Sequence, residues 1–472
     1  MTAAACVKQH AAAASVRRPP SRRRRPLRLW SVAVLSVPIL LGRAQGLIAD
    51  LPLGIVGRRI SPAVPMLAAM WRWVAGVLML ALVLAVTGVG LARLSRPVPS
   101  VSLVAAHAPE QFASRHVGLT WPATGEAAVI VSGVGVLGSR RADRVVPIAS
   151  VAKVMTAYVV LRDHPLGRDD RGPLITVTPA DVAIYRGDLA AGESVARVKA
   201  GQGLSERQAL EAMLLPSANN IATLLARWDA GSLEAFVTKM NHQARTLGLE
   251  HTSYADASGV DSATVSSAND QARLATAALR KRVFAQIVSM RQAWVPVAGV
   301  VGNLNPLLGR SGVFGVKTGS TSAAGGCLVF ASHERVGAHL ITVVGAVLGQ
   351  PTAPTLPAAL EAVVHASTRL LRSIPRVFEI VKFDPNTPLA SLRAPWTHPV
   401  AAGLSRGVSF VAWPHLPVHV RIEANPNLRA PLRTGQPVAM AQIVVGEQHE
   451  TVPILATREL ASPSFWWRVT HS

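Results

Sequence analysis

Residues 145–161 read VVPIASVAKVMTAYVVL. Val145, Val146, Pro147 and Ile148 are extended, β-branched text, and after Ser150 the text becomes Ala-rich and helical. The stretch predicts a short strand running into a helix, with Ser150 in the helix's first turn. Ser150 and Lys153 stand at i and i+3, so their hydroxyl and amine share one face. Val151, Val154, Met155 and Tyr158 give that face apolar surroundings, which lower the proton affinity of a lysine. A neutral amine can take the Ser150 proton as the hydroxyl attacks a carbonyl carbon. The helix N-terminus meanwhile offers N–H groups to the oxyanion. Alone, this pattern reads more readily as a surface serine beside a solvated lysine.

Two later motifs change that balance. Residues 205–228 read SERQALEAMLLPSANNIATLLARW. Pro216 ends an apolar helix, Ala209–Leu215, and a new apolar helix starts at Ile221. Ser217 and Asn219 are thereby placed on a short loop between two rigid elements. A serine there can relay a proton and an asparagine can bind a substrate amide; a plain interhelical turn with an Asn cap is the bland alternative. Residues 311–332 read SGVFGVKTGSTSAAGGCLVFAS. Val313–Val316 predicts a strand and Cys327–Ala331 the next, joined by a Gly-rich turn. Lys317 and Thr318 can pair with a carboxylate, and the Ser320 N–H can serve as a second oxyanion donor. Gly319 leaves the strand clear for an extended substrate.

Lysine usage adds weight. Of 48 Lys and Arg residues only seven are Lys, and two of those are Lys153 and Lys317. Arginine serves wherever a plain positive charge suffices. A general base has to lose its proton, which lysine can do when desolvated and arginine cannot.

With S-x-x-K at Ser150, S-x-N at Ser217 and K-T-G at Lys317, the chain resembles the serine-type D-Ala-D-Ala carboxypeptidases, the low-molecular-mass penicillin-binding proteins. The resemblance runs from about residue 105 to 370 and extends to MNHQARTLGLEHTSYADASGVD at 240–261. It implies an α+β fold of the penicillin-binding-protein and β-lactamase type: an antiparallel sheet flanked by helices, plus a helical lobe. By motif position it implies Ser150 as acylated nucleophile, Lys153 as base and Ser217 as relay. Asn219 becomes the substrate-amide contact, with Lys317, Thr318, Gly319 and Ser320 on the substrate side. The implied substrate is a peptidoglycan stem pentapeptide ending in D-Ala-D-Ala, with β-lactams trapping the same serine. No metal or organic cofactor is implied. Asp256 and Gly259, in YADASGVD, read as a structural turn. Arg186-Gly187-Asp188 is too short a string to assign.

Charge and hydropathy organise the rest. Residues 1–72 hold twelve Lys or Arg against one acid, Asp50, which is half of the net charge of +22. A run such as Arg22–Arg25 amid Pro and Ala predicts a basic disordered cytoplasmic tail over 1–70. No folded nucleic-acid-binding motif accompanies it, so nucleic acid is not an expected partner. Trp73–Ala92 is twenty residues without a charge, long enough to span a bilayer. With the positive charge before it, residues 71–93 predict a transmembrane helix or signal anchor that places the catalytic part outside the cell membrane. The shorter stretch Leu29–Gly42, with Pro38, is not expected to be a second span. If translation starts at Met66 or Met70, the same span becomes a signal peptide with a cleavage site near Ala92, and the protein is secreted.

Cys6 and Cys327 fall on opposite sides of that span, so no disulfide is expected, and Cys327 reads as a small buried hydrophobe. The catalytic domain is expected over 100–373, ending in a helix at Ala358–Leu371. From Val377 short β-like runs (VSFVAW, PVHVRIEA, PVAMAQIVVG, ETVPILAT) alternate with Pro and Gly, predicting a C-terminal β-sandwich over 376–472. It resembles the C-terminal β domain of some carboxypeptidases of this family, with Phe465-Trp-Trp467 expected on an edge strand. Two alternatives stand beside the carboxypeptidase reading. A class A β-lactamase shares the chemistry, but carries S-D-N and a Glu loop where this chain has S-A-N and no matching Glu after it. A non-catalytic peptidoglycan-binding protein would not need the full set of chemical residues.

Overall fold

A computed structural model of the protein describes residues 63–105, 118–351, 355–385 and 387–471. The expectations for the basic tail, for Leu29–Gly42 and for Cys6 lie outside these residues. The chain divides into two units, 1–87 and 88–472. In the first, α1 begins at Ala63 and runs to Leu94 in the second. Its stretch Ala69–Leu94 is 26 residues and contains an 18-residue window of mean hydropathy 2.5, so it is long and apolar enough to cross a membrane.

The second unit is built on a five-stranded antiparallel sheet. Its spatial order is Val313–Thr321, Gly325–Val336, His339–Gln350, Glu126–Val131, Gly135–Arg140. Strand 126–131 is buried at every residue. Its side chains alternate between two cores: Ala128 and Ile130 face the helical lobe, and Ala127, Val129 and Val131 the opposite side. On the lobe side lie α2 (Lys153–Asp163), α7 (Ala268–Leu279) and α8 (Arg282–Ser289). The lobe is completed by α3 (Pro179–Ala190), α4 (Glu206–Leu214), α5 (Asn219–Ala230) and α6 (Leu233–Thr246). On the far side lies α9 (Leu356–Ser373). The α+β architecture read from the sequence is therefore present.

Local chemistry fixes the two helices around the second motif. The Ser205 hydroxyl accepts from the Gln208 N–H at 3.3 Å, and Gln208 Oε1 accepts from the Ser205 N–H at 3.1 Å. This capping box starts α4. Pro216 cannot continue it, and α5 starts at Asn219, two residues before the expected Ile221.

The C-terminal region is a six-stranded antiparallel sheet, in the order Ser102–Ala105, Pro388–Ala394, Thr397–Leu404, Gln448–Ala456, Pro437–Val445, Val418–Ala424. A ribbon of Glu379–Phe383 and Val408–Ala412, within which Phe383 and Phe410 meet edge to face at 6.1 Å, shares an apolar cluster with it. Ser102–Ala105 pairs with Pro388–Ala394, in register Ser102 to Arg393, where it covers an open edge of the six-stranded sheet. One expectation is corrected here: Phe465-Trp-Trp467 is not an edge strand but opens a short helix, α10 (Phe465–His471). Ser464 Oγ accepts from the Trp467 N–H at 3.2 Å, and Trp467 stacks on His471 one turn later, at 5.2 Å.

Candidate active site

Ser150 lies in a single 3₁₀ turn, Ala149–Ala152, that runs into α2 at Lys153. The strand before it, Val146–Pro147, pairs with Val265–Ser266. Ala149 has φ +48°, a left-handed conformation uncommon for alanine, and Ser217 in the second motif has φ +65°. Such strain persists only where the surroundings impose it. The surroundings are visible at Gly259, where an added Cβ would lie 1.8 Å from the Ala149 carbonyl oxygen. Only glycine lets the 255–264 turn press against the Ser150 turn.

Asp256 organises that turn. Its carboxylate accepts from the N–H groups of Gly259, at 2.9 Å, and Val260, at 3.0 Å. The Ser258 and Thr264 hydroxyls donate to it at 2.6 Å each. The turn presents two carbonyls to α2: Ala257 O accepts from the Thr156 hydroxyl at 2.6 Å, and Ser258 O accepts from Lys153 Nζ at 2.9 Å. Asp256 is thus structural, as the sequence suggested, but it shapes an acceptor for the lysine.

Lys153 is fully buried. Its Nζ lies 2.8 Å from Ser150 Oγ, 2.6 Å from Asn219 Oδ1 and 2.9 Å from Ser258 O. Burial, and then the charge of Lys317, hold its proton affinity well below that of a free lysine; Asp256, Glu193 and Asp188 pull the other way. Nζ donates to Asn219 Oδ1, to Ser258 O and to Ser150 Oγ; a neutral amine that keeps the first two bonds has its lone pair free for the Ser150 hydroxyl.

The third motif occupies strand Val313–Thr321, which borders the Ser150 turn. A Cβ at Gly319 would fall 2.8 Å from the Ser150 N and 3.1 Å from the Val151 N. Glycine permits that approach, which brings the strand alongside the N–H groups of the Ser150 turn. Lys317 and Thr318 are buried, and Lys317 Nζ donates to Thr318 O at 2.9 Å. Burial pushes the Lys317 proton affinity down to about 7. Ser217 is buried, and its hydroxyl makes no side-chain hydrogen bond among the described residues. The structure brings Ser150, Lys153, Asn219 and Lys317 together, with Gly319 against Ser150.

Two residues at the site were missed in the sequence. Glu193 Oε2 accepts from Asn219 Nδ2 at 2.7 Å, and Asp188 lies within electrostatic range of both Lys153 and Glu193. Neither stands in a recognisable motif. Asp188 was visible only as the third letter of an uninformative tripeptide. Among the described residues no group of three or more His, Cys, Asp or Glu side chains is placed to hold a metal ion. Cys327 is fully buried, and burial pushes its thiol up to about 12, so it is an inert core residue.

Residues 123–350 match the family model described as D-alanyl-D-alanine carboxypeptidase, an interval that contains all three motifs. A D-alanyl-D-alanine endopeptidase of Pseudomonas aeruginosa is 36% identical over 215 residues, 44% of this chain and 66% of that one. The chain therefore spans just under two thirds of that relative. A D-alanyl-D-alanine carboxypeptidase of Streptomyces sp. strain K15 is 31% identical over 236 residues, 46% of this chain and 77% of that one. The crystal structure of the D-alanyl-D-alanine carboxypeptidase DacD from Francisella tularensis shares the fold, with TM-score 0.50 at 21% identity, over 75% of this chain and 97% of that one. Motifs, geometry and relatives agree: this chain belongs to the D-alanyl-D-alanine carboxypeptidase family.

Proposed function

We propose that the protein is a membrane-anchored serine D,D-peptidase that removes the terminal D-Ala from peptidoglycan stem pentapeptides. The observation that carries this reading is the buried Lys153 amine, 2.8 Å from Ser150 Oγ and with both its N–H groups engaged elsewhere. Ser150 Oγ attacks the carbonyl carbon of the penultimate D-Ala as Lys153 takes its proton. The N–H groups of Ser150 and Ser320 hold the oxyanion. The C–N bond then breaks, and Ser217 passes the proton from Lys153 to the leaving amine. Water opens the acyl-serine ester: one of its protons returns to Ser150 Oγ, the other goes to solvent, and the shortened peptide leaves as its carboxylate. Asn219 contacts a substrate amide, Lys317 and Thr318 hold the terminal carboxylate, and Gly319 keeps the strand edge open. The α1 helix fixes the enzyme to the cell membrane with this site on the outer side.

A second activity has support from the relatives. The named endopeptidase at 36% identity favours cleavage of D-Ala-containing cross-links by the same acyl-serine route. The test is to label the full-length protein with a fluorescent penicillin and identify the labelled peptide by mass spectrometry, beside Ser150→Ala. Label on Ser150 that is absent from the variant and released slowly supports the reading. No label on folded protein points to a binding role, and rapid penicillin hydrolysis to a β-lactamase. Incubation with pentapeptide and with cross-linked dimer then apportions the two peptidase activities.

A further inference from the structure

The Asn219 amide is held at both ends. Oδ1 accepts from Lys153 at 2.6 Å, and Nδ2 donates to Glu193 Oε2 at 2.7 Å. An amide rotated by half a turn would be nearly the same shape, but would point an N–H at Lys153. The neutral amine would then turn its lone pair to that N–H, and Ser150 would lose its base. A carboxylate only accepts hydrogen bonds, so it admits the NH₂ end and excludes the other. Glu193 is itself rigidly presented. Its N–H donates to Asp188 O at 2.9 Å, Asn219 N donates to the neighbouring Ser194 O at 2.8 Å, and Asn220 pairs with both backbone groups of Ala196.

We propose that Glu193 is a positioning residue of the acyl-transfer site, fixing which end of the Asn219 amide faces Lys153 and so aiming the lysine's lone pair at Ser150. This rests on the reading of Ser150 and Lys153 given above. It concerns a residue outside the three motifs, on the segment that follows α3.

The charge of Glu193 gives a second, separable signature. The charged groups that face Lys153 are Lys317 from strand 313–321, Asp256 from the 255–264 turn, Glu193, and Asp188 in the last turn of α3. Removing one negative charge makes protonated Lys153 less favourable, so the neutral base persists to lower pH. Glu193→Gln keeps an acceptor for Asn219 Nδ2 and loses the charge; Glu193→Ala loses both.

The experiment measures the rate constant for acylation by fluorescent penicillin, from pH 4.5 to 9, for the full-length protein and both variants. Thermal melts verify that each is folded. Glu193→Ala is expected to fall about tenfold or more, as for a misaligned base. Glu193→Gln should stay within about threefold of wild type, with its acid limb moved to lower pH by several tenths of a unit. A Glu193→Ala variant as fast as wild type overturns the proposal. So does a Glu193→Gln variant as slow as Glu193→Ala, or one with an unmoved acid limb, since a purely structural contact would behave that way. If Glu193→Ala does not fold, the acid limb of Glu193→Gln decides alone. An unlabelled wild type removes the proposed function itself, whereas labelled wild type with unaffected variants removes only the role of Glu193.

Discussion

At the scale of single residues, the site depends on two close approaches and one poised charge. Gly319 lies where a Cβ would meet the Ser150 N at 2.8 Å. We expect Gly319→Ala to push the strand off the nucleophile turn and to cut penicillin acylation by about a hundredfold, as when an oxyanion donor is lost, with little change in the melting temperature. Lys317, pushed to about 7 by burial, loses its charge as pH rises through that value. Its pull on a carboxylate is then full below pH 7 and lost above it. KM for a D-Ala-D-Ala peptide should rise about tenfold between pH 7 and pH 9, and that of the same peptide with its terminal carboxylate amidated should stay flat. A parallel rise in both would exclude Lys317 as the carboxylate site. Ser150, Lys153, Asn219 and Lys317 were legible as residues because the motifs set their types and spacing. Glu193 was not, since a glutamate beyond a helix end looks the same whether it faces solvent or an active-site amide.

At the scale of elements, the loop bearing Ser217 is held by the two helices that flank it. Their remote ends carry a buried charge problem. Glu206, the first residue of α4, is fully buried, and neither carboxyl oxygen has a hydrogen-bond partner. Asp229, in the last turn of α5, binds Lys239 at 2.7 Å and His164 at 3.0 Å. Burial, followed by the charge of Asp229, raises Glu206 to about 7. The folded state thus binds a proton more tightly than the unfolded chain. This contribution to stability is fullest in acid and declines as pH rises from 4.5 to about 7. Glu206→Gln should therefore stabilise the protein by about 1–3 kcal/mol at pH 8 and converge with wild type near pH 4. Denaturant unfolding at the two pH values measures this, and a variant that is less stable at pH 8 contradicts it. The helices themselves were readable from Ser205, Gln208 and Pro216, which act through their own neighbours.

At the scale of the whole molecule, the sheet that carries Lys317 and the C-terminal sheet share one apolar core. One apolar cluster joins Leu328, Phe330 and Val343 of the first to Leu370 of α9 and to Val381, Leu392, Ile443 and Ile454 of the C-terminal region. Backbone contacts cross as well, with the Glu447 N–H donating to Val134 O at 2.9 Å. Each large apolar side chain re-exposed costs about 1.5–3 kcal/mol, so losing a few exceeds the usual stability of a domain. A chain ending at residue 375 should consequently be insoluble or fail to bind penicillin, although every catalytic motif is present. Soluble, fully active protein from that truncation would show the C-terminal sheets to be dispensable.

The sequence by itself determined the chemistry on offer and the local elements that carry it. Periodicity, caps and proline act over a few residues, and the three motifs set residue types and spacing. Tertiary structure alone decided which groups meet. Lys153 finds its partners 66 residues away at Asn219 and 105 residues away at Ser258. Strand 102–105 crosses to the second sheet, and the aromatic C-terminus coils into a helix instead of extending. Those outcomes depend on which surfaces remain unpaired once the core has formed, and no local pattern records that.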